Sequence, residues 1–81
     1  MTNSNNTPQP AATAVSFTAS TMTVELTDGR SLSVPLKWFA TLSTATHQQL
    51  TNYKLLGNGQ GIHWPQLDED LSVDGLLEGI H

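Results

Sequence analysis

His63, Asp68 and Asp70 form the only group of acid, base or metal-ligand side chains that lie close together in this sequence. A histidine can act as a general base or bind a metal, and carboxylates can supply a second proton-transfer group or further ligands. All three residues fall in the segment 61–70 (GIHWPQLDED). Their spacing matches no established metal motif, and the segment lacks the glycine and downstream glutamate of a calcium loop. A small metal-dependent hydrolase around these residues is therefore an alternative interpretation only.

Two further patterns give weaker indications of a binding or catalytic site. The stretch 57–61 (GNGQG) could form an anion nest of backbone N–H groups, but no Lys-Ser/Thr pair follows it, and a hairpin turn is the simpler interpretation. His47 or His63 could act as base in a Ser/His/Asp arrangement, yet the sequence contains no Gly-x-Ser-x-Gly and a domain this small has little room for a closed pocket. We predict no enzymatic activity, no catalytic residue, no bound metal and no cofactor.

Trp64 indicates how the segment 61–70 must be positioned. Burying a tryptophan removes roughly 150–250 Å² of surface from water, and Pro65 biases the residue before it toward extended backbone. Trp64 should therefore be a strand residue that points into the core. The acidic run 68–70 cannot be buried without partners, so the chain must return to the surface between Leu67 and Leu71.

The first half of the chain alternates apolar and polar residues, which predicts three strands that share one dry face. The apolar positions are Val15, Phe17, Met22, Val24, Leu26, Leu32 and Val34. Asp28-Gly29 predicts a tight hairpin between the second and third strands, because these residues tolerate positive φ. A turn at Ala19-Ser20 would join the first two strands, and Pro35 ends the third because it has no N–H to donate. The prediction is an antiparallel meander.

The middle of the chain predicts short helical structure. Residues 36–42 could form one helical turn or a loop that places Trp38 or Phe39 on the open edge of the core. Ser43 or Thr44 can then cap a helix that reaches about residue 52.

The last third predicts a strand pair and a final helix. Residues 53–56 and 62–64 should form two strands joined by the glycine-rich turn. Ser72 can cap a helix over residues 73–78, which Gly79 would end. The predicted fold class is α+β, with a three-stranded meander and a C-terminal hairpin or strand pair packed against two or three short helices.

Length and composition define the class of protein. Its 81 residues suffice for one small domain of modest stability. Residues 1–13 are predicted to be a disordered polar tail, and residues 14–81 a single domain. Because the sequence contains no cysteine, disulfides and zinc-finger sites are excluded. The chain begins without the features of a secretory signal and contains no apolar run long enough to span a bilayer, so we expect a cytoplasmic protein without membrane association.

The net charge of −4 is concentrated near the C-terminus. The last fourteen residues contain no Lys or Arg but five carboxylates: Asp68, Glu69, Asp70, Asp74 and Glu78. A surface of this sign repels phosphate backbones and attracts basic partners, so direct nucleic-acid binding is disfavoured. The plainer alternative is a solvated face that only keeps the protein soluble.

Several short signals occur in order along the chain. They are the segments 26–30 (LTDGR) and 34–36 (VPL), Leu42 with 45–46 (AT), and 61–70 followed by 71–72 (LS). In this order they resemble the small bacterial proteins of the domain of unknown function 2442 family, over about residues 15–77. The resemblance implies an α+β fold with a small antiparallel sheet and short helices, and no established activity.

Members of that family occur alone, fused to a helix-turn-helix DNA-binding domain, or encoded beside another small protein in what resembles a toxin–antitoxin pair. Because this chain ends at His81, we expect a stand-alone member without the fused domain.

The function predicted from these features is that of a small regulatory or interaction protein, antitoxin-like or adaptor-like. It would bind a basic protein, for example the product of a neighbouring gene, through its acidic C-terminal surface and aromatic anchors. The predicted contact residues are Trp38, Phe39, Trp64, Asp68, Glu69, Asp70, Asp74 and Glu78. The alternatives are an acidic mimic that inhibits a nucleic-acid-binding complex and the hydrolase described above. A homodimer would also help to stabilise so small a domain, and the sequence leaves this open.

Overall fold

The structure is a computed structural model, and it describes residues 10–79. Within this range the chain forms two three-stranded antiparallel sheets and three short α-helices, which confirms the predicted fold class. The elements are β1 (Ala12–Phe17), β2 (Thr21–Leu26), β3 (Ser31–Pro35), a 3-10 turn (Leu36–Trp38), α1 (Ala40–Ser43), α2 (His47–Thr51), β4 (Lys54–Leu56), β5 (Gly61–Trp64), β6 (Glu69–Ser72) and α3 (Val73–Leu77). Across residues 10–79, no helix is both long and apolar enough to cross a membrane.

The first sheet is the predicted meander, with strand order β1-β2-β3. Met22 pairs with Phe17 on one side and Val34 on the other, so these three side chains lie on the same face of the sheet. Met22 and Val24 have no exposed surface, which is the burial that the alternating pattern predicts. The polar residues between them remain at the surface or at its margin.

The β2–β3 hairpin has the predicted turn, in which Gly29 alone adopts positive φ, at 90°. The Gly29 N–H donates to the carbonyl oxygen of Leu26 at 3.1 Å. The Asp28 carboxylate accepts the Arg30 backbone N–H at 3.0 Å and the Arg30 Nε at 2.7 Å. The aspartate therefore holds the turn through its side chain, and the glycine supplies the backbone conformation.

Asp28→Asn is expected to lower the thermal midpoint of unfolding near neutral pH and to have less effect in acid. The Arg30 backbone N–H, followed by the hydrogen bond and charge of its guanidinium, holds the pKa of Asp28 below its ordinary value. A carboxylate whose pKa is lower in the folded state stabilises the fold above its unfolded pKa and loses that effect as the pH falls through its folded pKa. Thermal melts of both proteins over a series of acidic pH values measure this. A difference in midpoint that stays constant into strong acid would contradict it.

The segment after β3 differs from the prediction of one helix capped by Ser43 or Thr44. Those two hydroxyls instead donate back to the carbonyl oxygen of Ala40, at 2.9 and 3.4 Å, at the end of α1. Thr46 caps α2, because its hydroxyl accepts the Gln49 N–H at 3.1 Å and the Gln49 side chain accepts the Thr46 N–H at 2.9 Å. This reciprocal capping box satisfies two backbone donors at once, so a second helix begins there.

The second sheet has the order β4-β5-β6, and its third strand was not predicted from the sequence. Aspartate and glutamate are rare in strands, which is why Glu69 and Asp70 indicated a surface loop. The chain reverses after Trp64, where Leu67 donates its N–H to the Trp64 carbonyl oxygen at 3.1 Å and Asp68 adopts a φ of 52°. Glu69 then pairs with Trp64. Pairing with β5 therefore overrides the weak local preference of the acidic residues.

The N-terminal part of the fold starts earlier than predicted. β1 begins at Ala12, inside the tail expected over residues 1–13, and both Ala11 and Ala12 are buried. Ala11 accepts the Thr27 N–H at 2.8 Å, and Ala12 donates its N–H to the carbonyl oxygen of Gly59 at 2.6 Å. Alanines carry too little apolar surface to produce a hydrophobic pattern, so only the backbone contacts identify them as ordered. The rest of the expected tail, residues 1–9, lies outside the described residues.

Trp64 lies in the core between the two halves of the chain. Its side chain is fully buried and its Nε1–H donates to the carbonyl oxygen of Leu50 at 2.9 Å. The Phe17 ring packs edge-on against it, with ring centroids 6.4 Å apart. Nearby, the Val15 N–H on the outer edge of β1 donates to the Tyr53 hydroxyl at 2.9 Å. The tryptophan thus contacts both β1 and α2, as its predicted role in the core requires.

Candidate interaction surface

In the structure, the side chains of the acidic run 68–70 point in different directions. Asp68 is exposed in the turn before β6. Glu69 lies opposite Trp64 and is half-buried, so it borders the core. Asp70 lies opposite His63 on the other face of the sheet, because successive strand residues point to opposite faces. The run is therefore a rim around one edge of the second sheet, and its three carboxylates do not share one face.

The last two acidic residues lie on α3, next to this rim. The Ser72 hydroxyl caps the helix by accepting the Gly75 N–H at 2.9 Å, as predicted. Asp74 is exposed in the first helical turn, where a negative charge is favourable, and Glu78 is exposed at the C-cap, where it is not. We call the five carboxylates together the β6–α3 surface. Its members are Asp68, Glu69, Asp70, Asp74 and Glu78.

Most of the β6–α3 surface lacks a cationic neighbour. Over residues 10–79 two carboxylates have a basic side-chain partner: Asp28 is paired with Arg30, and Asp70 is hydrogen-bonded to His63. Four of the five carboxylates of the surface therefore have no ion pair with a described residue. Like charges that face water without compensation repel one another and do not stabilise the folded state.

His63 and Asp70 are the two members of the proposed chemical cluster that the fold brings together. His63 Nδ1 is hydrogen-bonded to Asp70 Oδ1 across β5 and β6, and 29% of the His63 side chain is exposed. This contact fixes the orientation of the ring and leaves Nε2 for other partners. In residues 10–79 no hydroxyl is hydrogen-bonded to His63, and no three His, Cys, Asp or Glu side chains are grouped as metal ligands. Asp68 is not part of the pair.

The aromatic residues predicted to contact a partner divide between core and surface. Trp64 is fully buried and Phe39 is 6% exposed, so both are core residues that offer a partner little or no surface. The 3-10 turn drops Phe39 inward, because Pro35 turns the chain at the end of β3 and the Phe39 N–H closes the turn on the Leu36 carbonyl oxygen at 2.9 Å. Trp38 is 40% exposed and remains at the surface. Hydrophobic size alone could not separate these three residues.

An open cleft of about 420 Å³ lies away from the acidic residues. It is bordered by the β1–β2 turn and the 3-10 turn, and its lining residues are Ala19, Ser20, Thr21, Pro35, Leu36, Lys37 and Ser43. The cleft holds none of the residues that the sequence suggested for chemistry.

The sequence analysis missed one structural feature of this surface, which is the edge strand β6. A signal for this strand was present, because Leu67, Leu71 and Val73 lie at even spacings from one another, as apolar residues on one face of a strand do. Glu69 interrupts that pattern and hid it. β6 is thus an acidic strand at the edge of the second sheet, and α3 follows it directly.

These features define a small α+β domain of two short sheets, with a buried tryptophan between its halves and an acidic sheet edge. A family model described as "Protein of unknown function (DUF2442)" matches residues 12–81. The chain belongs to this family, which confirms the resemblance found in its sequence.

Two solved structures share the fold. A crystal structure of a protein of unknown function from Rhodospirillum rubrum is 33% identical, with a TM-score of 0.79, and the match covers 90% of each chain. A solution NMR structure of an uncharacterized protein from Chromobacterium violaceum is 27% identical, with a TM-score of 0.73. That match covers 85% of this chain but 65% of the other, so the second protein has further sequence outside the shared domain. No curated protein matches the chain.

Proposed function

We propose that this protein is a small non-enzymatic interaction protein of the cytoplasm, antitoxin-like or adaptor-like, whose β6–α3 surface binds a basic protein. The observation that carries the proposal is the set of four carboxylates, Asp68, Glu69, Asp74 and Glu78, that have no ion pair within residues 10–79. A partner with Lys and Arg at its surface would supply the missing counter-charges. The same sign of charge disfavours a nucleic-acid partner.

The charges of this surface support binding more than they support folding. Carboxylates without counter-charges repel one another and raise the free energy of the folded state slightly, whereas they increase the rate at which a basic partner associates. The three cations of the chain, Arg30, Lys37 and Lys54, lie outside β6 and α3. The acidic surface is therefore electrostatically distinct from the rest of the domain.

The proposal predicts that neutralising Asp68 and Glu69 slows association with the partner. The double variant Asp68→Asn, Glu69→Gln should fold normally, since Asp68 is exposed and glutamine keeps the volume of the half-buried Glu69. A thermal melt of the variant checks this before the kinetics are measured. Its association rate constant should fall several-fold, and the salt dependence of binding should weaken. The Debye length shrinks from about 10 Å to about 3 Å between 0.1 M and 1 M salt, so the unmodified protein should also associate more slowly at high salt.

The measurement is surface-based binding kinetics against the small protein encoded beside this one or the protein that copurifies with it. A control is the double variant Glu25→Gln, Asp28→Asn, which changes the net charge equally but on the β2–β3 hairpin. Because Asp28→Asn is expected to lower the thermal midpoint, all kinetics are measured well below the midpoint of this control. This control should keep the association rate of the unmodified protein. If the association rate constant does not depend on salt and is the same in both double variants, the β6–α3 surface is only a solvated face.

A further inference from the structure

β6 is an edge strand whose outer side has no strand partner among residues 10–79. Its inner side pairs with β5, and the Val73 N–H donates to the carbonyl oxygen of Gln60 at 2.9 Å just beyond the strand end. Hydrogen-bonded and non-hydrogen-bonded residue pairs alternate along an antiparallel ladder. Because Val73 and Gln60 are hydrogen-bonded, the pairs Ser72–Gly61 and Asp70–His63 are the non-hydrogen-bonded ones. The backbone N–H and C=O groups of Asp70 and the N–H of Ser72 therefore point away from β5, whereas the Ser72 carbonyl belongs to the first turn of α3.

The two outer edges of the first sheet, β1 and β3, are each partly blocked to an added strand. On β1, the outward N–H groups of Ala12 and Val15 are bonded to the Gly59 carbonyl oxygen and the Tyr53 hydroxyl, at 2.6 and 2.9 Å. β3 ends in Pro35, which has no N–H. No such contact or proline covers β6 over the described residues, so this edge is open to an added strand.

The charges on β6 select what can pair with it. Two copies of this chain joined antiparallel through β6 would place Asp70 of one copy opposite, or diagonally next to, Asp70 of the other, and like charges in these positions destabilise a strand pair. The other sheet edges of this chain carry too few cations to compensate, since β4 has only Lys54 and β3 has none. A strand with Lys or Arg at alternate positions fits the edge instead.

From these observations we infer that the β6 edge accepts an extended basic segment of the partner protein as a fourth strand of the second sheet. Backbone hydrogen bonds to Asp70 and Ser72 would provide affinity, and the carboxylates of the β6–α3 surface would select basic side chains. This inference rests on the proposed function and names how its partner binds.

The test uses the full-length protein and a short synthetic peptide that alternates lysine and valine. Two further peptides have the same sequence but carry backbone N-methyl groups, one at the lysines and the other at the valines. Each keeps its charge but loses the N–H donors on one side of the strand. The unmodified peptide should slow hydrogen exchange at the amides of Asp70 and Ser72. It should also bind at least about tenfold more tightly than the weaker of the methylated peptides, because ladder bonds are lost there.

A pair of protein variants tests the same contact from the other side. Asp70→Asn removes the charge but keeps the N–H, whereas Asp70→Pro removes both, and proline is tolerated on edge strands when its nitrogen faces outward. Binding of the unmodified peptide should fall further in the proline variant than in the asparagine variant.

Equal binding of the methylated and unmodified peptides would overturn strand addition and leave the acidic-surface proposal intact. If none of the peptides binds, strand addition is also overturned. The proposed function is judged separately, by the kinetics of the Asp68, Glu69 double variant with the protein partner.

Discussion

Replacing Trp64 by alanine is expected to lower the free energy of unfolding by about 3–5 kcal/mol. The ring is fully buried, packs against Phe17 and donates from Nε1 to the Leu50 carbonyl oxygen, so the substitution removes apolar contacts and leaves a buried acceptor without its donor. Small domains have total stabilities near the lower end of about 5–15 kcal/mol. The variant should therefore be largely unfolded or close to it, which urea titration followed by circular dichroism would measure.

Two control variants separate the contributions of this residue. Trp64→Phe keeps most of the apolar volume but loses the indole N–H, so its cost should be intermediate, with about 1–3 kcal/mol due to the unsatisfied Leu50 carbonyl. His63→Ala alters the neighbouring residue on the opposite face, where the side chain is partly exposed, and should be mild. If His63→Ala destabilised the domain as severely as Trp64→Ala, the assignment of the two faces of β5 would be wrong.

Substituting Gly59 by alanine is expected to have the second-largest effect, roughly 2–5 kcal/mol, because strain and overpacking act together. Gly59 has a φ of 90°, which alanine adopts only with strain. A Cβ at this position would overlap the carbonyl oxygen of Ala12 and approach its nitrogen to 3.1 Å. Both atoms belong to the β1 backbone, which cannot move aside without losing the hydrogen bond from Ala12 N–H to Gly59.

Gly29→Ala provides a matched control for this clash. Gly29 has the same φ of 90°, but an added Cβ would meet no atom within 4 Å. It should cost only the conformational strain, about 1–2 kcal/mol. The difference between the two variants in urea midpoint then measures the contact between β1 and the β4–β5 turn. Equal midpoints would mean that this contact contributes nothing to stability.

The candidate site was only partly predictable from sequence, and the reasons differ between residues. The chemical types were evident, since five carboxylates without a cation near the C-terminus indicate an acidic surface wherever the chain runs. Their directions were not evident, because they depend on whether the run is a loop or a strand. Pairing with β5 decided that Glu69 faces the core side and that Asp70 meets His63. Likewise, Trp38 and Phe39 are adjacent and similar in character, and only the 3-10 turn decided which one is buried.

The sequence by itself determined the features that depend on residues close together in the chain. The alternation in β1 to β3, the Asp28-Gly29 hairpin, the inward position of Trp64 and the Ser72 cap all follow from local backbone preference and side-chain chemistry. Only the tertiary structure decided the pairing of β6 and the ordering of Ala11 and Ala12 against distant segments. The physical reason is that those residues have weak local preferences, so backbone hydrogen bonds to strands far away in sequence select their conformation.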